Sequence, residues 1–300
     1  MYTPRLFIVF LFLSVMQGLA QTGSFDAENF EKRTLAFAER DSTLYLDFYQ
    51  KKGDTVIRPC VIFVFGGGFA VGNRDAHAYQ SYFKNLVSRG IKVASIDYRL
   101  GLAGIYDEVG VFNTKPLGKA INMAVTDLYE ATAYLLSEAE ELGIAPDNFI
   151  ASGSSAGAIT SLQADWYLKN SHELSQFLPE HFRYAGVISF AGAIFSTTGK
   201  PRYASPPSPT LFFHGTDDKT VPYSKRRLLN KGFFGSASLA KHFVKEGYPF
   251  ALVTEQKAGH SIAVSAMNER LEEILQFIGT AVLKQSHFQK EITLIPISGK

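Results

Sequence analysis

Apolar and polar side chains alternate from Thr43 to Tyr49, which predicts a half-buried β-strand there. Val61 to Phe65 is instead an unbroken apolar run, the mark of a strand buried on both faces. Shorter runs at Val93 to Ile96, Phe149 to Ala151, Gly186 to Phe190, Leu211 to Phe213 and Phe250 to Val253 read the same way. Between them the period becomes helical. Ala120, Ile121, Ala124, Val125, Leu128, Ala131, Leu135 and Leu136 fall mostly on one face of a helix predicted over 119–142, with Gly143 as its stop. A second helix is predicted from near Ser155 toward Lys169, and a last one over 261–283. Strands alternating with helices predict an α/β fold, a mostly parallel central sheet with helices on both faces. Glu291 to Ile297 reads either as an edge strand or as a loose tail.

No repeat or low-complexity linker divides the chain, so one domain is expected over 25–284, followed by a tail at 285–300. The first twenty residues differ in kind. Arg5 gives a positive start, Leu6 to Met16 is almost wholly apolar, and Gly18-Leu19-Ala20 ends in small residues. This predicts a secretory signal peptide over 1–20, cut before Gln21, and a secreted or periplasmic protein. The run is shorter than the ~20 residues a spanning helix needs, so no stable membrane insertion is expected after cleavage.

At 46% hydrophobic content the chain can bury a sizeable core. The formal charge is only +2 and the cations form no long run, which lends no support to nucleic acid or an anionic membrane as partner. A lone cysteine, Cys60, excludes an intramolecular disulfide. Within its apolar run it reads as a buried small hydrophobe.

The sharpest chemical signal is Gly153-Ser154-Ser155-Ala156-Gly157, after a strand and at the start of a helix. A serine on so tight a turn has its hydroxyl thrust out of the sheet, and glycines are needed where side chains would clash. The following helix N-terminus favours developing negative charge. Phe65-Gly66-Gly67-Gly68-Phe69 ends the buried strand, and its bare amides can approach a substrate oxygen. An oxyanion hole is expected from the amides of Gly67, Gly68 and Ala156; the bland alternative is a flexible loop. A nucleophilic serine also needs a base and an orienting acid. His260, in Ala258-Gly259-His260-Ser261, follows a strand and precedes a helix. His214 to Pro222 follows another strand and offers two carboxylates, Asp217 and Asp218. Serine, then acid, then histidine is the hydrolase order. His214 with both carboxylates also has the look of a metal site, but the context favours the acid loop. No metal or organic cofactor is required.

These segments resemble the α/β-hydrolase fold esterases, especially the carboxylesterase and hormone-sensitive-lipase-like branch with an HGGG-type oxyanion loop. The resemblance extends to Asp97-Tyr98-Arg99-Leu100, to Gly143-Ile144-Ala145-Pro146-Asp147 and to Pro206-Pro207-Ser208-Pro209-Thr210, so it runs from about Val56 to Leu283. It implies that Asp218, at the fifth place of H-G-x-x-D-x-x-V-P, is the acid, and that Asp97 and Arg99 are structural. Three departures stand out. Phe65 replaces the usual loop histidine, and Ser154 replaces the acidic residue common before the nucleophile; Ala158 also stands where a glycine is frequent.

The resemblance implies a serine esterase acting on a small-molecule or carbohydrate ester of short-acyl type, acetyl or feruloyl. Phe65 and Phe69 are expected to stand close to the reacting centre. A serine exopeptidase of the same fold is the nearest alternative, although such enzymes carry a gating domain for which this chain has no room. A non-catalytic binding protein on the same scaffold is the third reading.

Overall fold

Val61 to Val64 lie fully buried at the heart of the molecule, in strand β3 (Arg58–Val64). On one face the Phe63 ring meets Tyr79, Tyr82 and Phe83 of helix α1 (His77–Ser88) at centroid distances of 4.8 to 5.9 Å. Truncating so large a buried ring to alanine costs about 3–5 kcal/mol. This computed structural model describes residues 29–110 and 113–295. The expected signal peptide, residues 1–20, lies outside them. No helix among the described residues is long and apolar enough to cross a membrane.

Strands β1 (Phe30–Glu39), β2 (Thr43–Lys51), β4 (Lys92–Ile96), β5 (Ile144–Ser154), β6 (Gly186–Phe190), β8 (Thr210–Gly215), β11 (Phe250–Glu255) and β12 (Gln289–Leu294) complete the main sheet around β3. Its nine strands run in the order β1-β2-β4-β3-β5-β6-β8-β11-β12. Only the β1–β2 and β2–β4 pairs are antiparallel. From β4 onward every pairing is parallel. This is the mostly parallel sheet that the alternating pattern predicts. Helices α2 (Lys115–Ser137) and α3 (Ala156–Lys169) pack on each other, as α1 does on α5 (Ile262–Glu269). Helix α4 (Ser236–Glu246) covers β11.

Several boundaries differ from expectation. Helix α2 begins at Lys115, with Pro116 in its first turn, and ends at Ser137. The chain to Gly143 is a separate turn, closed by Leu142 N–H to the Glu138 carbonyl at 2.9 Å, and Gly143 takes φ +60°. The turn forms because Ala139 and Leu142 are themselves drawn into the core. The last helix is likewise broken. Arg270 (φ −122°) separates α5 from α6 (Leu271–Phe277), and a wider turn covers Ile278–Val282. Strand β2 is buried more fully than alternation implies, because α1 packs on its second face, with Phe83 5.2 Å from the Tyr49 ring. Asp47 is buried within β2 yet satisfied by Thr34 Oγ1 at 2.6 Å and by the Arg74 guanidinium at 3.2 Å. At the opposite edge, the terminal segment forms β12, paired in parallel with β11 from Gln289 to Leu294.

A second sheet has no counterpart in the sequence reading. Strands β7 (Ala193–Ser196), β9 (Lys225–Leu228) and β10 (Lys231–Gly235) form an antiparallel sheet in the order β7-β10-β9. It grows from the segments that follow β6 and β8, beside the carboxyl ends of the main strands, where open α/β sheets bind ligands.

Candidate active site

Strand β5 ends at Ser154 and α3 begins at Ala156, so Ser155 alone makes the corner. Its φ of +52° lies in the left-handed region, a conformation a side-chain-bearing residue holds only under constraint. The constraint is visible in its neighbours. A Cβ on Gly153 would lie 2.3 Å from the Gly157 carbonyl, and one on Gly157 would lie 1.9 Å from the Val64 carbonyl oxygen. Only glycine fits at either place. The Ser155 N–H is held by the Phe190 carbonyl at 2.9 Å.

The three residues picked out from sequence meet here. Ser155 Oγ lies 2.8 Å from His260 Nε2, and His260 Nδ1 lies 2.7 Å from Asp218 Oδ2. An ionised carboxylate can only accept, so Nδ1 carries the proton and Nε2 is left to accept from the serine hydroxyl. The other oxygen, Asp218 Oδ1, takes the N–H groups of Thr220 and Val221 at 2.8 and 2.9 Å. Burial alone raises the Asp218 carboxyl, but hydrogen bonds from His214 and His260 outweigh it and hold the group well below the usual carboxylate range. Asp217 plays no part in this chain. It is exposed and accepts from Thr216 Oγ1 at 3.0 Å. The acid and histidine loops touch through Gly215, where a Cβ would lie 2.3 Å from the Ala258 carbonyl oxygen.

The glycine loop presses on the same corner. A Cβ on Gly66 would lie 3.3 Å from the Ser155 Cβ. Gly67 (φ +132°) and Gly68 (φ +63°) turn tightly, and the Gly67 carbonyl accepts from Ala70 and Val71, both at 3.1 Å. Among the described residues, the amides of Gly67 and Gly68 have no acceptor. Ala156, as the first residue of α3, has no acceptor within the helix ladder. Three donors beside a serine hydroxyl suit a negatively charged oxygen.

Phe65 and Phe69 do not wall this centre as expected. Both are 2% exposed, with rings packed on Tyr98 at 4.4 and 6.3 Å. They turn inward because Tyr98 fills the core beneath the loop, and its hydroxyl donates to the Phe65 carbonyl at 3.2 Å. Apolar packing of Phe65 and Phe69 on Tyr98 holds this strand end. Tyr106 stands beside Gly68, its ring edge 3.2 Å from where a Cβ there would lie.

Ser154 forms a link that no motif announced. Its hydroxyl donates to the Ala263 carbonyl in α5 at 2.9 Å and partly offsets the rise that burial gives the neighbouring Tyr79 phenol. Tyr79 Oη in turn accepts the Gly66 N–H at 3.1 Å. One polar chain thus ties the glycine loop, the serine corner and the helix after His260. The remaining candidates are structural. Arg99 grips Asp127 through its backbone N–H and guanidinium at 2.7 to 3.1 Å, and Asp97 accepts from Arg74 at 2.7 Å. Burial pushes the Cys60 thiol up to about 12, which leaves it unreactive.

The chain is similar to several known proteins. The BD-FAE family model matches residues 46–198, just over half of the 300 residues. Over 116 residues the chain is 29% identical to gut esterase 1 of Caenorhabditis elegans, covering 38% of this chain and 20% of that protein. Over 133 residues it is 27% identical to the fumonisin B1 esterase of Sphingopyxis macrogoltabida, covering 44% of this chain and 24% of the relative. The chain therefore spans only 20% and 24% of the length of these two relatives. Among solved structures, the apo form of Thermogutta terrifontis esterase 2 matches with a TM-score of 0.61 at 22% identity, over 83% of this chain and 94% of that one. The same esterase has been solved with propionate and with butyrate bound. The likeness shows the α/β-hydrolase fold.

Proposed function

The chain belongs to the BD-FAE family, and on that premise we propose that it is an exported serine esterase that hydrolyses carboxylic esters of short acyl groups, free or carried on carbohydrate. Ser155 Oγ attacks the ester carbonyl while His260 Nε2 takes its proton. The amides of Gly67, Gly68 and Ala156 hold the oxyanion. His260 then returns the proton to the departing alcohol, and Asp218 holds the imidazole in the working tautomer and balances its charge. Water deacylates Ser155 by the same steps. The observation that carries this reading is the continuous chain Ser155 Oγ–His260–Asp218, with spacings of 2.8 and 2.7 Å.

The acyl preference is supported by Tyr106, whose ring edge would lie 3.2 Å from a Cβ on Gly68 and which, on this reading, bounds the acyl side of the site. Each methylene a pocket buries is worth about 0.8 kcal/mol, or roughly fourfold. The propionate and butyrate found in the Thermogutta esterase fit the same short-chain picture. Acetyl to butyryl p-nitrophenyl esters are expected to exceed decanoyl in kcat/KM by at least about tenfold, equivalent to 1.4 kcal/mol. A rate that climbs steadily to decanoyl would contradict the short pocket. Export rests on the sequence pattern of residues 1–20, and predicts a mature N-terminus at Gln21.

A further inference from the structure

Leu229 is an oddly chosen residue for its place. It occupies the two-residue turn Leu229-Asn230 between β9 and β10, where Leu228 and Lys231 form the closing pair. Its φ of +54° is left-handed, and turns of this length strongly prefer asparagine, aspartate or glycine there. Its side chain is also 82% exposed, and Leu228 beside it is 43% exposed. A branched apolar side chain at a strained turn tip opposes both local backbone preference and solvation. Nothing within the fold repays either.

The surroundings of the tip are as distinctive. Lys225, Arg226 and Arg227 of β9 and Lys231 of β10 are all exposed, and none has an acidic partner among the described residues. Lys200 and Arg202 join them, because the Gly199 N–H pairs with the Asn230 carbonyl at 2.8 Å. Between residues 197 and 235 the chain carries seven Lys and Arg against two Asp. Dispersed in sequence, these cations are gathered only by the pairing of β7 with β10. Charged edge strands also guard against aggregation, but that role would exclude two exposed leucines at the tip.

We infer that the β9–β10 hairpin is a peripheral docking element for an anionic lipid surface. Leu228 and Leu229 enter the interface, and the surrounding lysines and arginines meet the headgroups. An anionic glycan or nucleic acid would answer the charge but not the leucines, and no aromatic ring on the hairpin is exposed for stacking. The hairpin is fixed to the candidate active site. Arg226 donates from both terminal nitrogens to the Lys219 carbonyl at 3.1 Å, next to Asp218, and Ser236, just after β10, lies 2.8 Å from His214. Docking therefore holds the mouth of the site beside the membrane.

Co-sedimentation of the full mature chain with vesicles tests this directly, and does so whether or not the esterase reading stands. Vesicles with phosphatidylglycerol should carry the protein down at low salt, and pure phosphatidylcholine vesicles should not. Raising ionic strength should weaken binding, since the Debye length shrinks from about 30 Å at 0.01 M to about 8 Å at 0.15 M. The double variant Leu228→Ser/Leu229→Asn, whose asparagine suits the turn, should fold and lose at least tenfold in partitioning while keeping every cation. No binding to phosphatidylglycerol vesicles, or equal binding by the double variant, would overturn the inference. So would binding of heparin or duplex DNA as tight as binding to the vesicles.

Discussion

His214 Nε2 lies 3.4 Å from Asp218 Oδ2, the same carboxylate oxygen that accepts His260 Nδ1 at 2.7 Å. The Val221 carbonyl, 3.1 Å from His214 Nε2, can only accept, so that nitrogen carries a proton and faces the carboxylate as well. Two imidazoles thus converge on one oxygen of the acid. With Asp218 held below the ordinary carboxylate range, which lies near ~3.9, it stays ionised at neutral and mildly acidic pH. Between pH 7 and about 4 the wild-type Asp218 should therefore add nothing to any fall in log kcat/KM. His214→Phe removes a donor and raises Asp218, so a second proton should enter within that window and steepen the fall. The sign for stability follows. A depressed carboxylate stabilises the fold above its unfolded value and loses that contribution as pH falls through the folded one. The difference in melting temperature between wild type and His214→Phe should therefore narrow below about pH 4. Identical pH–rate profiles for the two proteins would show that His214 does not act on the acid.

The neighbouring carboxylates divide sharply. Asp218→Asn should lower kcat by about 10⁴, through loss of the working tautomer and of the charge opposite the imidazolium. Asp217→Asn should change it by less than about threefold, because that side chain reaches only Thr216 Oγ1. Steady-state kinetics on p-nitrophenyl acetate separates the two, and equal losses would mean that the acid has been misassigned.

The Gly66–Tyr79–Ser154–Ala263 link should matter to rate more than to folding. Ser154→Ala removes a buried donor and should destabilise the fold by about 1–3 kcal/mol. By loosening the glycine loop and the histidine helix together, it should also cost kcat about ten- to a hundredfold with little change in KM. Tyr79→Phe should do the same from the other end. A variant with lowered melting temperature and unaltered kcat would make the link purely structural.

Much of this was legible from residues because the site is built of turns that admit few side chains. Gly153, Gly157 and Gly215 leave no room for a Cβ, so the motif around Ser155 reports a real steric demand. The buried strands were legible for a related reason, since burial on both faces forces unbroken apolar runs. Helix α1 carries its buried positions at Tyr79, Tyr82, Phe83, Leu86 and Val87, a helical spacing open to the same reading. The second sheet was not legible. Every residue of β9 is exposed, so no periodicity marks it, and its existence depends on partners distant in sequence. The inward turn of Phe65 and Phe69 was hidden similarly, because Tyr98 comes from a different strand end. His214, Tyr79 and Ser154 act through contacts that no local pattern records.

The central claim is that Ser155 is the nucleophile, and active-site labelling tests it most directly. A serine-directed fluorophosphonate should form one covalent adduct per chain, located by mass spectrometry on the peptide containing Ser155. Loss of p-nitrophenyl acetate turnover should track adduct formation, and Ser155→Ala should neither label nor turn over. A fully folded wild-type protein that resists the reagent, or carries the adduct on any other residue, would contradict the account.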